Sequence, residues 1–202
     1  MAVDAANTPL ATFTAQATTD EPKAGERVWA LLADRQALRT AEGVWFEPEP
    51  GEIVKGGTLG TWLGPVANTS DPDLYVSQRY GTFAYALPVA NGRYQVRVYL
   101  AEAASNRQAA ERRFDIAAEG RPFAADLDLA KQPGPRTAHL VEQTVTVADG
   151  TLNLAFSPIP IPNLSAAELD IRDPDLKLLK DRNAVVNAVE VRLIEKDPGQ
   201  KP

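Results

Sequence analysis

Cysteine is absent from the 202 residues, and histidine and methionine occur once each. Without cysteine there are no disulfides, no thiolate metal sites and no thiol nucleophile. With His139 as the sole imidazole, any Ser-His-Asp or metal-histidine mechanism must pass through it. Its neighbourhood, Arg136-Thr137-Ala138-His139, offers neither a G-x-S-x-G elbow nor a second ligand at helical spacing. Gly56-Gly57-Thr58-Leu59-Gly60 lacks the Lys-Ser/Thr and the strand-then-helix context of a phosphate loop, and reads as a tight turn. An autonomous enzyme is therefore not expected. Apolar runs are also short, none approaching the ~20 residues that span a bilayer. No charged start followed by an apolar stretch marks a secretory signal. Positive charge is the scarcer sign, with 21 Lys and Arg against 27 Asp and Glu and a net charge of −6. Such a field repels nucleic acid and anionic lipid, so neither nucleic acid nor membrane is expected as a partner. Asp71-Pro72-Asp73 and Asp126-Leu127-Asp128 could lend oxygens to calcium, but neither has EF-hand spacing. No cofactor is expected beyond that open calcium option, since solvated turn acids are the commoner use.

What is present is a series of short strand-like runs: Arg27–Leu31, Thr82–Leu87, Tyr94–Leu100, Arg112–Ala117, Glu142–Val147, Leu152–Phe156 and Ala184–Ile194. Tyr94-Gln95-Val96-Arg97-Val98-Tyr99-Leu100 alternates with period two, which gives one wet and one buried face. Asn91-Gly92, Glu119-Gly120 and Asp149-Gly150 lie between runs and tolerate the positive φ of hairpin turns. The pattern predicts an all-β fold, a jelly-roll or β-sandwich of two antiparallel sheets with a few short helices in loops. Leu176–Asp181, behind Asp173-Pro174, is one helical candidate; Ala101–Arg113 is another, or else a long loop. The proline ladder Ser157–Pro162 lacks too many backbone donors for a central strand. The expected organisation is a linker over residues 1–24, with its Thr/Ala-rich stretch, one domain over 25–196, and a tail over 197–202. A linker of that kind suggests a module of a larger protein.

Five tyrosines and one phenylalanine fall between Leu74 and Glu102. Rings on strand ends suit a sugar-binding cleft, and rings on alternating positions fill a core. Phe83, Tyr85, Phe114 and Phe156 have the alternation of core residues. Tyr94 and Tyr99 are separated by an odd number and so lie on opposite faces of a regular strand. Tyr75 and Tyr80 divide in the same way, with Tyr75 inside and Tyr80 at a cleft. Arg79 is suited to a bidentate bridge with a carboxylate such as Glu102.

From Arg27 to Glu195 the ordered pieces resemble the malectin domain, a jelly-roll family that binds carbohydrate. The pieces are Arg27-Val28-Trp29-Ala30, Gly43-Val44-Trp45-Phe46 with Gly56-Gly57, Leu74-Tyr75-x-x-x-Arg79-Tyr80, Phe83-x-Tyr85, Asn91-Gly92-Arg93-Tyr94, Leu100-Ala101-Glu102, Arg113-Phe114-Asp115-Ile116, Asp126-Leu127-Asp128-Leu129, Thr137-Ala138-His139, Asp149–Leu154 and Asn187–Val191. The resemblance implies a loop-lined cleft of four rings and an aspartate. Tyr80 matches one ring and Trp62 falls where a second is due. Ala104 and Ser105 stand where two more should be, which removes half of the ring surface. Asp181 falls near the aspartate's place, and Asn106 and Arg107 are further candidate polar clamps. At about 0.5–1.5 kcal/mol per aromatic contact, losing two rings weakens binding at least severalfold.

The expectation is a non-catalytic carbohydrate-binding module of a secreted or cell-surface bacterial protein, docking its parent's other domains on an oligosaccharide or polysaccharide of glucan type. The alternative is a structural or protein-interaction sandwich that has lost sugar binding, for which Ala104, Ser105 and the insertion Ser157–Arg182 speak.

Overall fold

The computed structural model describes residues 22–62, 64–105, 112–159 and 183–197. Its strands in chain order are β1 (Arg27–Leu32), β2 (Leu38–Arg39), β3 (Trp45–Pro48), β4 (Val54–Thr61), β5 (Ser77–Pro88), β6 (Gly92–Leu100), β7 (Phe114–Ala118), β8 (Arg121–Leu127), β9 (His139–Val147), β10 (Thr151–Pro158), β11 (Ala184–Val186) and β12 (Ala188–Lys196). One sheet runs β2-β3-β1-β12-β6-β9. The other runs β11-β5-β10-β7-β8, with β4 also paired to β5. The fold is thus the all-β sandwich the alternation predicts, and its named strands pair antiparallel except β1 with β3. Two single-turn 3-10 helices, Gly51–Ile53 and Pro72–Tyr75, sit in loops. Among the described residues no helix is long and apolar enough to cross a membrane.

The core follows from period two. In β6, Tyr94, Val96, Val98 and Leu100 are fully buried between the sheets, while Arg93, Gln95, Arg97 and Tyr99 turn to the other face. Phe83 stacks on Phe156 at 4.5 Å, and Tyr85 meets both edge-on, a geometry that suits the ring quadrupole. A second, smaller cluster lies on the outer side of the first sheet, where Phe46, Leu74 and Tyr75 pack with Leu32 and Ala188. Tyr99 reaches it edge-on to Phe46 at 5.7 Å, so the odd spacing of Tyr94 and Tyr99 does put them on opposite sides.

Several expectations need correction. Of the three turn dipeptides, only Glu119-Gly120 closes a hairpin, β7 to β8, with φ of 49° and 68°. Asn91-Gly92 and Asp149-Gly150 instead carry the chain from one sheet to the other. They lie side by side, with Gly150 N donating to Asn91 Oδ1 at 2.8 Å and Val89 N to Gly150 O at 3.0 Å. Turn chemistry permits a reversal without saying whether the flanking strands pair. Gly56 and Gly57 are not a turn but part of β4. The proline ladder begins inside a central strand: Pro158 is the last residue of β10, opposite Phe114 of β7, a terminal position where a missing N–H costs little. Leu176–Asp181 lies outside the described residues, as does Ala101–Arg113 from 106 to 111; residues 101–105 form no helix.

Candidate functional site

At one end of the sandwich three loops converge: the segment after β4, the segment after β6, and the segment before β9. Ala138 N donates to Ala67 O at 2.9 Å, Ala67 N to Arg136 O at 2.9 Å, and Arg136 N to Glu102 O at 2.7 Å. These backbone bonds hold the loops to one another rather than to solvent, which fixes the side chains they carry. Trp62 enters this region directly from β4, its N–H donating to Val76 O at 2.7 Å.

Trp62 and Tyr80 are neighbours. Gly60 lies between them: a Cβ there would sit 3.0 Å from Tyr80 Cε1 and 3.7 Å from Trp62 Nε1. Trp62 is 41% exposed, whereas Tyr80 is half-buried with one side against the main core. Tyr80 has this orientation because β5 bulges. Thr58 opposes Tyr80 and Gly56 opposes Phe83, so Gly57 alone faces Gly81 and Thr82, and the two aromatic residues reach the same core cluster despite an odd separation.

On the far side of Trp62 is Arg136. Trp62, Gly64, Val66, Tyr75, Ala101, Ala103 and Arg136 border a notch of only about 10 Å³. That is room for at most one water, so the site is a rim and not a pocket. Arg136 Nε donates to Ala103 O at 3.4 Å, and its backbone is left-handed at φ 53°. Residue types alone pass over Arg136, whose one legible signal is its place behind Pro133-Gly134-Pro135 and before a strand. Burial, eased by a bond to Thr69 and reinforced by Asp71, pushes the Tyr75 hydroxyl up to about 12, which keeps it neutral at the base of the notch.

Of the other expected site residues, Asp181, Asn106 and Arg107 lie outside the described residues. Ala104 and Ser105 border the site without rings, and Ala104 N donates to Glu102 Oε1 at 2.9 Å. Arg79 does not bridge to Glu102. Its Nε donates to Glu49 Oε1 at 2.7 Å and its Nη1 to Gly56 O at 2.7 Å, because the loop just after β3 brings Glu49 against it. Glu102 pairs instead with Arg112 at 2.7 Å, both buried. Asn187 stitches the site's rear: its Oδ1 accepts from Ala101 N and its Nδ2 donates to Ser77 O, each at 2.8 Å. Asp126 is occupied by Arg113, and Asp71 accepts from Ala41 N at 2.5 Å. Among the described residues no group of three or more His, Asp or Glu could hold a metal ion. A roomier hollow of about 700 Å³ opens elsewhere, between the edges of β8 and β9, but Phe123, its one aromatic, is buried.

The malectin domain model matches residues 28–171. The chain belongs to the malectin family. Malectin domains bind carbohydrate without catalysis. Human malectin is 28% identical over 134 residues, which cover 63% of this chain and 45% of that protein. Zebrafish malectin is 30% identical over 119 residues, 55% of this chain and 41% of that one. The chain thus matches less than half the length of these relatives. Among solved structures, a Bacteroides uniformis β-glucuronidase is similar with a TM-score of 0.64 at 16% identity, over 82% of this chain and 18% of that one. The plant receptor-like kinase FER is similar with a TM-score of 0.64 at 19% identity, over 87% and 44%. At such identities these two show the fold alone.

Proposed function

We propose that this malectin domain is a carbohydrate-binding module that docks a larger secreted or surface protein on a glucan or related glycan. The observation that carries the reading is the pairing of an exposed Trp62 with Tyr80 across Gly60. Two adjacent rings on a loop-built rim offer stacking area for the apolar face of a pyranose, and the surrounding backbone and polar groups orient its hydroxyls. The shallow notch suits a polymer lying across the surface better than an enclosed small molecule. The bacterial and extracellular setting belongs to this reading as well.

The test is retention on insoluble polysaccharides and on a glycan array, comparing the full chain with Trp62→Ala and Tyr80→Ala. Losing one stacking contact, at about 0.5–1.5 kcal/mol beyond area burial, weakens binding roughly two- to tenfold. Trp62→Ala is the cleaner variant, since Tyr80 also packs on the core. Equal retention of wild type and Trp62→Ala would refute the site.

A second reading, a sandwich that has turned to structural or protein contacts, is favoured by one observation: Ala104 and Ser105 bring no ring to the rim. Failure to bind any glycan, with the fold intact, would establish it over the first.

A further inference from the structure

The rim contains a charge that the ring count does not explain. Arg136 is held on both sides by its backbone, through Glu102 O and Ala67 N. Gly64 makes space for its head: a Cβ on Gly64 would lie 2.7 Å from Arg136 Nη1 and 3.1 Å from Cζ. The guanidinium is therefore seated between the Trp62 loop and Ala103 O rather than waving in solvent. Among the described residues no carboxylate pairs with it, and only its Nε has a protein acceptor, at 3.4 Å. The other arginines of this end are treated differently, Arg79 being matched by Glu49 and Arg112 by Glu102. Glu102, whose backbone O accepts from Arg136 N, has one carboxylate oxygen on Arg112 and the other on Ala104 N. A seated, half-buried cation that no described carboxylate pairs, beside an exposed indole in a chain of net charge −6, is a local feature and not an average of the surface.

We propose that Arg136 makes this rim selective for glycans bearing a carboxylate, that is, hexuronate residues, over neutral ones. The inference rests on the carbohydrate-binding reading above and narrows its ligand. A pyranose stacked on Trp62 turns its C5 substituent toward the edge of the ring, where a planar guanidinium accepts a carboxylate through two parallel N–H donors and gains little from a hydroxymethyl group. Such a charge-assisted contact compensates for the rings missing at Ala104 and Ser105.

The experiment uses the full chain and an array of α- and β-linked gluco-oligosaccharides, each beside its C6-oxidised counterpart. Wild type is expected to bind the oxidised member of the preferred pair about tenfold more tightly at low salt, with the gap narrowing in 0.5 M NaCl as the charges are screened. Arg136→Gln should erase the gap by bringing the oxidised affinity down to the neutral one, while Trp62→Ala should lower both and keep a gap between them. Neutral members bound as tightly as oxidised ones by wild type would overturn the selectivity and leave the glycan reading standing. A gap that persists in Arg136→Gln would overturn the role of this residue. Binding of no member of the array would bring down both proposals together.

Discussion

Glu49 holds two groups that the interior would otherwise reject. Its carboxylate takes the Arg79 guanidinium on one oxygen and the Tyr85 hydroxyl on the other, and the Arg79 and Glu49 side chains are only 10% and 2% exposed. Burial, together with the Glu49 charge, raises the Tyr85 pKa well above its ordinary value, so the trio carries one charge of each sign and no net charge. Replacing Glu49 by leucine strands the guanidinium in the core, and the expected loss is about 3–5 kcal/mol in urea unfolding. Glu49→Gln, which keeps an acceptor, should cost less. A second buried acid, Glu190, tests the electrostatics by pH. Burial raises its pKa, but bonds from Arg27, Arg192 and Tyr99 outweigh that and leave it below the ordinary 4.5. A carboxyl with a depressed folded pKa contributes stability above its unfolded value and loses it as pH falls through the folded one. Thermal melting of wild type should therefore decline below about pH 4.5 more steeply than that of Glu190→Gln. Parallel acid limbs for the two proteins would show that other carboxyls control the decline.

At the scale of elements, the bulge between β4 and β5 links the core to the rim. Gly57 has φ +67°, and a Cβ there would lie 3.0 Å from Arg79 Cγ and 3.1 Å from Phe83 Cβ. Gly57→Ala thus combines left-handed strain with overpacking, for an expected loss of about 1–3 kcal/mol by denaturant titration. Because this bulge also turns Tyr80 onto the face of Phe83, glycan retention should fall in the same variant under conditions where it remains folded. These two strands also show where sequence reading stops. β5, β6 and β10 were legible because their buried residues alternate. β4 was not, since its eight residues are mostly exposed and three of them are glycine, which leaves no periodicity to read. β8 was hidden by Pro122 on an edge strand and by a largely exposed pattern. The sheet crossings at Asn91-Gly92 and Asp149-Gly150 looked like hairpins for a related reason: partner choice is decided across the sandwich, by residues far away in the chain. Arg79 likewise found Glu49 thirty residues upstream, a separation no local spacing rule could supply. The site divided similarly. Trp62 and Tyr80 stood out by residue type and by family order, and Gly60 brings them together. Arg136 was illegible because its importance comes from Gly64 yielding space and from the lack of a counter-charge among the described residues, both properties of the folded loops.

At the scale of the whole molecule, a module that docks on glycan must bind in its folded form and not when unfolded, so the ligand should shift the unfolding equilibrium. Both sheets contribute to the rim: β4 and β5 carry Trp62 and Tyr80, while Ala101–Ala103 and Arg136 are tied to β6 and β9 of the other sheet. Pulling the sheets apart therefore destroys the site along with the core, and binding energy is fully coupled to global stability. With free glycan at a hundred times its Kd the coupling amounts to about 2.7 kcal/mol, which for a chain of this size raises Tm by roughly 5–10 °C. Differential scanning calorimetry over a titration of the best-retained oligosaccharide should show that rise in wild type and a smaller one in Trp62→Ala at the same sugar concentration. Trp62 is exposed and belongs to neither hydrophobic core cluster, so the unliganded Tm of the two proteins should agree closely. If sugar leaves the wild-type Tm unchanged at concentrations that saturate retention on solid polysaccharide, the retained surface is not the one these two sheets build together, and the hollow between β8 and β9 becomes the place to look.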